Sequence, residues 1–253
     1  MSSPRKGARS RDTIPADVLA QLNAGTLATV NLVEGLAIDF AHLLRAVEPT
    51  LEPLAATIDR TQGITTRMRQ VGEGLLAHGG LALLERLASH PADTVRGWVA
   101  YGLAALPEQT LAQRLQRFRP LADDPHFGVR EWAWLALRPV LAREARAAIS
   151  LLAPWTAETS ANLRRFASEI TRPRGVWCAH LPELRASPLL GLPILEPLRN
   201  DPSRYVQDSV ANWLNDAAKD HPTWVREITG RWGRESDTPM TQYIVRRAMR
   251  SLS

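Results

Sequence analysis

Lysine is almost missing from this chain. Of its 31 basic residues only Lys6 and Lys219 are lysines, and the rest are arginine. Arginine binds phosphate through a planar two-pronged fork that lysine lacks, although a GC-rich genome produces the same bias. Cysteine is scarcer still. Cys178 stands alone, which excludes an intrachain disulfide framework and any thiolate metal cluster. The six histidines lie far apart, with no H-x-x-x-H or HExxH pair, and no glycine-rich phosphate loop occurs, so neither a metal nor a cofactor is expected. No apolar run reaches the roughly 18 residues that cross a bilayer. The start is polar and basic (Arg5, Lys6, Arg9, Arg11) with no apolar stretch after it, unlike a secretory signal. These absences predict a protein of a reducing, bacterial-type cytoplasm, acting at the nucleoid if its partner is DNA, with no membrane partner.

What remains is an ordinary globular composition. The chain has 253 residues, 45% hydrophobic and 23% charged, with a net charge of +5 and neither half distinctly acidic or basic. That length suffices to bury a substantial core. From Ala16 onward helix formers dominate and apolar residues recur near i, i+3, i+4, while alternating β-branched stretches are lacking. Short breaks such as Ser89-His90-Pro91, Asp124-Pro125, Arg138-Pro139, Ala153-Pro154, Asp201-Pro202 and His221-Pro222 punctuate the pattern. The chain reads as all-α.

A repeat runs through it. Val95, Val129, Leu163, Val206 and Ile244 each precede an Arg, Gln or Val, with a small apolar residue further along the helix, at steps of 34, 34, 43 and 38 residues. This is the pattern of the second helix in HEAT-type repeats, in which each helix pair is covered by the next. It predicts a curved α-solenoid with a concave face able to cradle DNA. Three segments follow: a flexible basic tail over 1–14, an N-terminal helical cap over 15–90 with three or four helices, and HEAT-like repeats over 91–253 forming one continuous domain. All eight tryptophans lie from Trp98 onward, and most are expected in the core.

The segment Asn162 to Trp177 holds Arg164, Arg165, Arg172 and Arg174 against a single acid, Glu169. Its helix is expected to stop near Thr171, because the residue before Pro173 avoids the α region. Arg172 and Arg174 then fall on an exposed turn. Two readings of Glu169 are open: a structural acid paired with these arginines, which composition favours, or an anion held ready for incoming positive charge.

Ser168-Glu-Ile-Thr-Arg-Pro-Arg-Gly-Val-Trp177 resembles a motif of the AlkC family of bacterial DNA alkylation-repair glycosylases, in the AlkC/AlkD HEAT-like superfamily. Asp201-Pro-Ser-Arg-Tyr-Val-Gln-Asp-Ser-Val-Ala-Asn-Trp-Leu-Asn-Asp-Ala-Ala-Lys-Asp220 resembles a second, and His126-Phe-Gly-Val-Arg-Glu-Trp132 a third. The likeness covers roughly 90–232. Ile170 stands where the family has glycine, and Gly175-Val176 where it has Leu-Pro. Some members add a C-terminal immunoglobulin-like domain, which is not expected within these residues.

The resemblance implies a glycosylase that hydrolyses the N-glycosidic bond of N3- or N1-alkylated bases in duplex DNA during base excision repair, with Glu131, Glu169, Trp177 and Asp216 as its catalytic set. Those residue types suit the chemistry. Alkylation makes the base cationic and a better leaving group, and the bond breaks toward an oxocarbenium-like sugar. A fixed carboxylate stabilises that charge and holds a water, while an indole face assists by about 0.5–2 kcal/mol. Glu169 is expected to lead, followed by Asp216 and then Glu131. Asp208 and Asp220 are read as solvated, and His126 as a surface or capping residue. Arg130, Arg164, Arg165, Arg172, Arg174, Arg246 and Arg247 are the expected DNA contacts, made without sequence preference and sensitive to salt. A monomer suffices for this role. The alternatives are a non-catalytic HEAT-like protein that binds bent or branched DNA, and a protein–protein scaffold of the same architecture.

Overall fold

Apolar side chains at helical spacing must be covered, and a second helix covers them best. The computed structural model describes residues 5–252, and among them are fifteen α-helices, four short 3-10 turns and no strand. Met1–Pro4, part of the expected tail, lie outside the described residues. The chain clusters into two compact units, one comprising the chain up to Gln109 with Asp124–Ala136, the other Thr110–Asp123 and the chain from Leu137 onward. The first unit holds α1 (Ala16–Asn23), α2 (Leu32–Ala37), α3 (Phe40–Val47), α4 (Glu52–Ala55), α5 (Ile64–Leu87) and α6 (Asp93–Ala105). The second takes α7 (Leu111–Ala122), and α8 (Phe127–Leu141) is divided between them. The second unit continues with α9 (Ala145–Leu152), α10 (Ala161–Ile170), α11 (Pro182–Ala186), α12 (Leu192–Leu198), α13 (Arg204–Ala218), α14 (Pro222–Glu235) and α15 (Pro239–Ala248).

The repeat is visible as burial. Val95, Val129, Leu163, Val206 and Ile244 are all buried, and so is the residue four positions on in each case: Val99, Ala133, Ala167, Val210 and Ala248. One helical turn separates the two, so they form a single inward stripe.

The polar residue next to the branched one has a structural job. Arg96 donates one guanidinium nitrogen to the carbonyls of His90 and Pro91, Arg130 to those of Asp124 and Pro125, and Arg164 to those of Glu158 and Thr159. Gln207 reaches the Asp201 carbonyl in the same way. Arg96 also grips the Asp124 carboxylate, and Arg164 the Asp201 carboxylate, at the head of the next repeat. A carbonyl turned outward before each helix is thereby satisfied, as buried backbone requires.

Several expectations are corrected. The chain from Arg5 to Ile14 does not lie free: Arg5 forms a two-pronged pair with Glu34, which is 1% exposed, and donates to the Ala28 carbonyl, while Asn31 donates to the Ala8 carbonyl. The cap over 15–90 has five α-helices rather than three or four, and α5 is itself two helices meeting at Gly80, whose φ of 61° favours glycine. The Arg138-Pro139 step does not end a helix, because α8 runs on to Leu141. A proline near the end of a helix forfeits one hydrogen bond where few residues follow.

Candidate active site

Leu163, Phe166, Ala167 and Ile170 form the buried stripe of α10, and burial of the whole last turn takes Glu169 in with it, to 4% exposure. The helix ends at Ile170, as the following Pro173 predicts, and Thr171 caps it, with its hydroxyl donating back to the Ala167 and Ser168 carbonyls. Arg172 then turns inward rather than out. It donates to Oε1 of Glu169 at 2.7 Å, and Nε donates to Oδ2 of Asp216 at 2.9 Å. Asp216, on α13, is 5% exposed. The two acids therefore stand on opposite sides of one guanidinium. Arg172 is nearly buried, and its expected place on an exposed turn is wrong: two unneutralised carboxylates nearby outweigh the cost of taking it out of water.

The second oxygen of Glu169 is held as well. Ser209 donates to Oε2 at 2.7 Å and accepts the Ser168 hydroxyl at 2.7 Å, giving a buried chain Ser168–Ser209–Glu169. Arg165 stands 3.4 Å from the same oxygen and lies over the Tyr205 ring, 4.6 Å from its centroid. Burial pushes the Glu169 carboxyl up, but Arg165, Arg172 and the Ser209 hydroxyl outweigh it and hold the group below the usual carboxylate range. Asp216 goes the other way. Burial raises it, and Arg172 and the more distant Lys219, 4.0 Å away, offset that only in part. Two neighbouring carboxylates of opposite tendency, one firmly anionic and one more basic, can divide charge stabilisation from proton acceptance.

Trp177 lies on the loop after α10. It is 53% exposed and adopts φ 59°, a left-handed backbone rare for any residue but glycine. Of the other tryptophans, Trp98, Trp132, Trp134, Trp155, Trp213 and Trp232 are buried, as expected of core. The Cys178 thiol beside Trp177 is pushed up by burial.

Glu131 belongs to the first unit, on α8, where it accepts the Trp134 indole N–H at 2.9 Å. Arg130 and Arg164 occupy the repeat clamps described above. Arg174 and Arg185 together grip Asp220 and hold it well below the ordinary carboxylate range. Asp208 accepts the Tyr243 hydroxyl and stands 3.4 Å from Arg247. Neither acid is simply solvated, because each faces arginines from another element. Arg246 is exposed, and it and Arg247 lie beside the Tyr243 ring. His126 caps α8, accepting the Gly128 N–H, and its other nitrogen faces the Thr29 carbonyl at 2.6 Å.

Sequence reasoning passed over Ser168, Ser209 and Arg138. The serines carried a signal: each sits inside a helix, where serine is indifferent unless its hydroxyl has a partner. Among the described residues no group of three or more His, Cys, Asp or Glu is arranged to hold a metal ion, and no helix is long and apolar enough to cross a membrane.

No family model matches the chain. Among curated proteins it is similar to the uncharacterized protein YhaZ of Bacillus subtilis (strain 168), 40% identical over 117 residues, which covers 46% of this chain and 32% of YhaZ. Among solved structures it is similar to the alkylpurine DNA glycosylase AlkC of Pseudomonas fluorescens bound to DNA containing an abasic site analog. That likeness has 30% identity and a TM-score of 0.63, and it covers 84% of this chain and 60% of AlkC. AlkD2 of Streptococcus mutans shares the fold at 20% identity and a TM-score of 0.63, over 82% of this chain and 98% of AlkD2. The chain thus spans about a third of YhaZ and three fifths of AlkC. Its stacked helix pairs share the all-α HEAT-like fold of AlkC and AlkD2, and the likeness to AlkC over 84% of its length supports a place beside the AlkC/AlkD HEAT-like family.

Proposed function

We propose that the chain is a DNA glycosylase that removes alkylated bases from duplex DNA by hydrolysing the N-glycosidic bond. The observation that carries this reading is the joining of Glu169 and Asp216 through Arg172, next to the loop that exposes Trp177. A buried, permanently anionic carboxylate has its greatest effect on positive charge that develops during reaction, because its surroundings need not reorganise. In the reaction the C1′–N bond breaks and its electron pair leaves with the base, cancelling the charge that alkylation put there. The sugar becomes oxocarbenium-like. Glu169 stabilises it, while Asp216 holds a water that adds to C1′ and gives up its proton. Free base and an abasic sugar result, with no covalent intermediate. At an effective dielectric of about 20, one charge pair at 4 Å contributes around 4 kcal/mol, about three decades of rate if realised only in the transition state. Trp177 offers an indole face to the cationic base, and the resemblance alone proposes a catalytic role for Glu131. Arg246, which is exposed, leads the proposed phosphate contacts, with Arg247 and Arg174 beside it in the proposal.

One observation favours the alternative of a DNA-binding protein without hydrolysis. Both carboxylates are engaged by arginine, as they would be in a purely structural network. Incubation with duplex DNA carrying N3- or N7-methylated purines, followed by measurement of free methylated base, separates the two. Release above buffer supports the glycosylase, and tight binding with no release supports the alternative.

A further inference from the structure

Arg138, on the second-unit part of α8, is one of the largest fully buried side chains in the protein, at 2% exposure. Among the described residues it forms no ion pair. Its three donors go to main-chain carbonyls: NH1 to Ile170 at 2.7 Å, NH2 to Arg172 at 2.6 Å and Nε to Ala179 at 3.2 Å. Ile170 and Arg172 close the end of α10, and Ala179 lies beyond Trp177. One rigid guanidinium plane therefore ties together both ends of the segment that carries Trp177. A fourth tie, Leu181 N–H to the Pro173 carbonyl at 3.0 Å, closes the same loop. The loop also folds onto the guanidinium from above. A side-chain carbon on Gly175 would stand 3.3 Å from Arg138 and meet the Cys178 thiol, which would have to move, so a substitution there presses on the clamp.

Burying an arginine without a carboxylate costs several kcal/mol, and helix-end carbonyls alone can be capped by water or a glycine turn. Such a residue is retained where the geometry it enforces matters. Trp177 sits in a strained backbone, which persists only where the surroundings over-determine it. The main chain of Arg172 is held by the same group, and its side chain bridges the two carboxylates.

We infer that Arg138 is a positioning residue: it sets the 171–180 loop, and with it the placement of Trp177 and of the Arg172 bridge between Glu169 and Asp216. This rests on the glycosylase reading for its effect on rate, but not for its effect on the loop. The test uses the full chain with Arg138→Ala and Arg138→Lys, each made also in a Trp177→Phe background so that subtraction isolates the Trp177 fluorescence. Arg138→Ala is expected to shift Trp177 emission and its quenching by acrylamide. It should lower kcat for base release by roughly 10- to 100-fold with KM for DNA little changed. Guanidinium ion at tens of millimolar should restore part of both signals, and urea or sodium chloride should not. Arg138→Lys, which keeps the charge but cannot span three carbonyls, should resemble the alanine variant. Gly175→Ala, which presses on the clamp without removing it, should move the Trp177 signal in the same direction and serves if Arg138→Ala does not fold. A folded Arg138→Ala protein with unchanged Trp177 quenching and unchanged kcat overturns the inference, as does an unmoved Gly175→Ala signal. If the wild type releases no base, the glycosylase reading fails while the fluorescence arm still decides the role of Arg138.

Discussion

Ser209 donates its hydroxyl to Oε2 of Glu169 at 2.7 Å, linking α13 to the last turn of α10. That bond, with Arg172 on the other oxygen, leaves the Glu169 carboxylate no rotational freedom. A carboxylate held so firmly suits charge stabilisation better than proton transfer, and Asp216, with one oxygen facing only distant Lys219, is the freer of the two.

Glu169→Gln keeps the shape and the Ser209 contact but removes the charge. Base release should fall by about 10²–10³-fold, the usual loss for one preorganised electrostatic group, with DNA affinity retained. Full activity in this variant would return Glu169 to the role of a structural acid.

Ser209→Ala strips the neutral donor from a buried carboxylate. Stability should fall by about 1–3 kcal/mol, read as a lower melting temperature, and base release should slow because Glu169 is less well held. A variant that melts and reacts like wild type would show that the serine chain contributes nothing.

The rate should depend on pH through Asp216. As a proton acceptor it works ionised, and burial raises its pKa, so activity falls on acidification at a pH above the ordinary aspartate range. Asp216→Asn should lose most of the rate together with that acidic limb. The stability signs are opposite for the two acids. The contribution of Asp216 is present at low pH and lost as pH rises through its raised value, whereas that of Glu169 is present above the ordinary range and lost as pH falls through its lowered value. The melting gap between wild type and Glu169→Gln should therefore narrow on acidification.

Asp201→Ala leaves Arg164 without its acid and also removes the acceptor for the Ser203 N–H ahead of α13. Breaking such a nearly buried pair costs about 3–5 kcal/mol, a melting drop on the order of 10 °C for a chain of this size. The salt dependence of DNA binding should not change. An unshifted melting point with a steeper salt slope would instead make Arg164 a phosphate contact.

Arg246→Gln and Arg247→Gln should weaken duplex binding equally on all sequences, each lowering the salt slope by about one. Titration at several salt concentrations checks this, and an unchanged slope would remove both residues from the interface.

Helical content, the HEAT-like period and the inward stripe from Val95 to Ile244 were legible in the chain alone, because each reports the local rule that an apolar face must be covered every turn. The end of α10 before Pro173 was legible for the same local reason, and the resemblance carried over Glu169 and Asp216 by residue type. The destination of the charged side chains was not legible. Arg130 and Arg164 look like free cations in a list of residues, yet each bonds carbonyls five and six positions back, a geometry that only the packed turn before a helix creates. Arg172 turned inward because Asp216 arrives from α13, and Arg138 was overlooked because its partners are backbone carbonyls, which have no letter in a sequence. Burial of an apolar face follows from near neighbours along the chain. The partner of a charge is set by whatever the fold places opposite it, which only the tertiary structure decides.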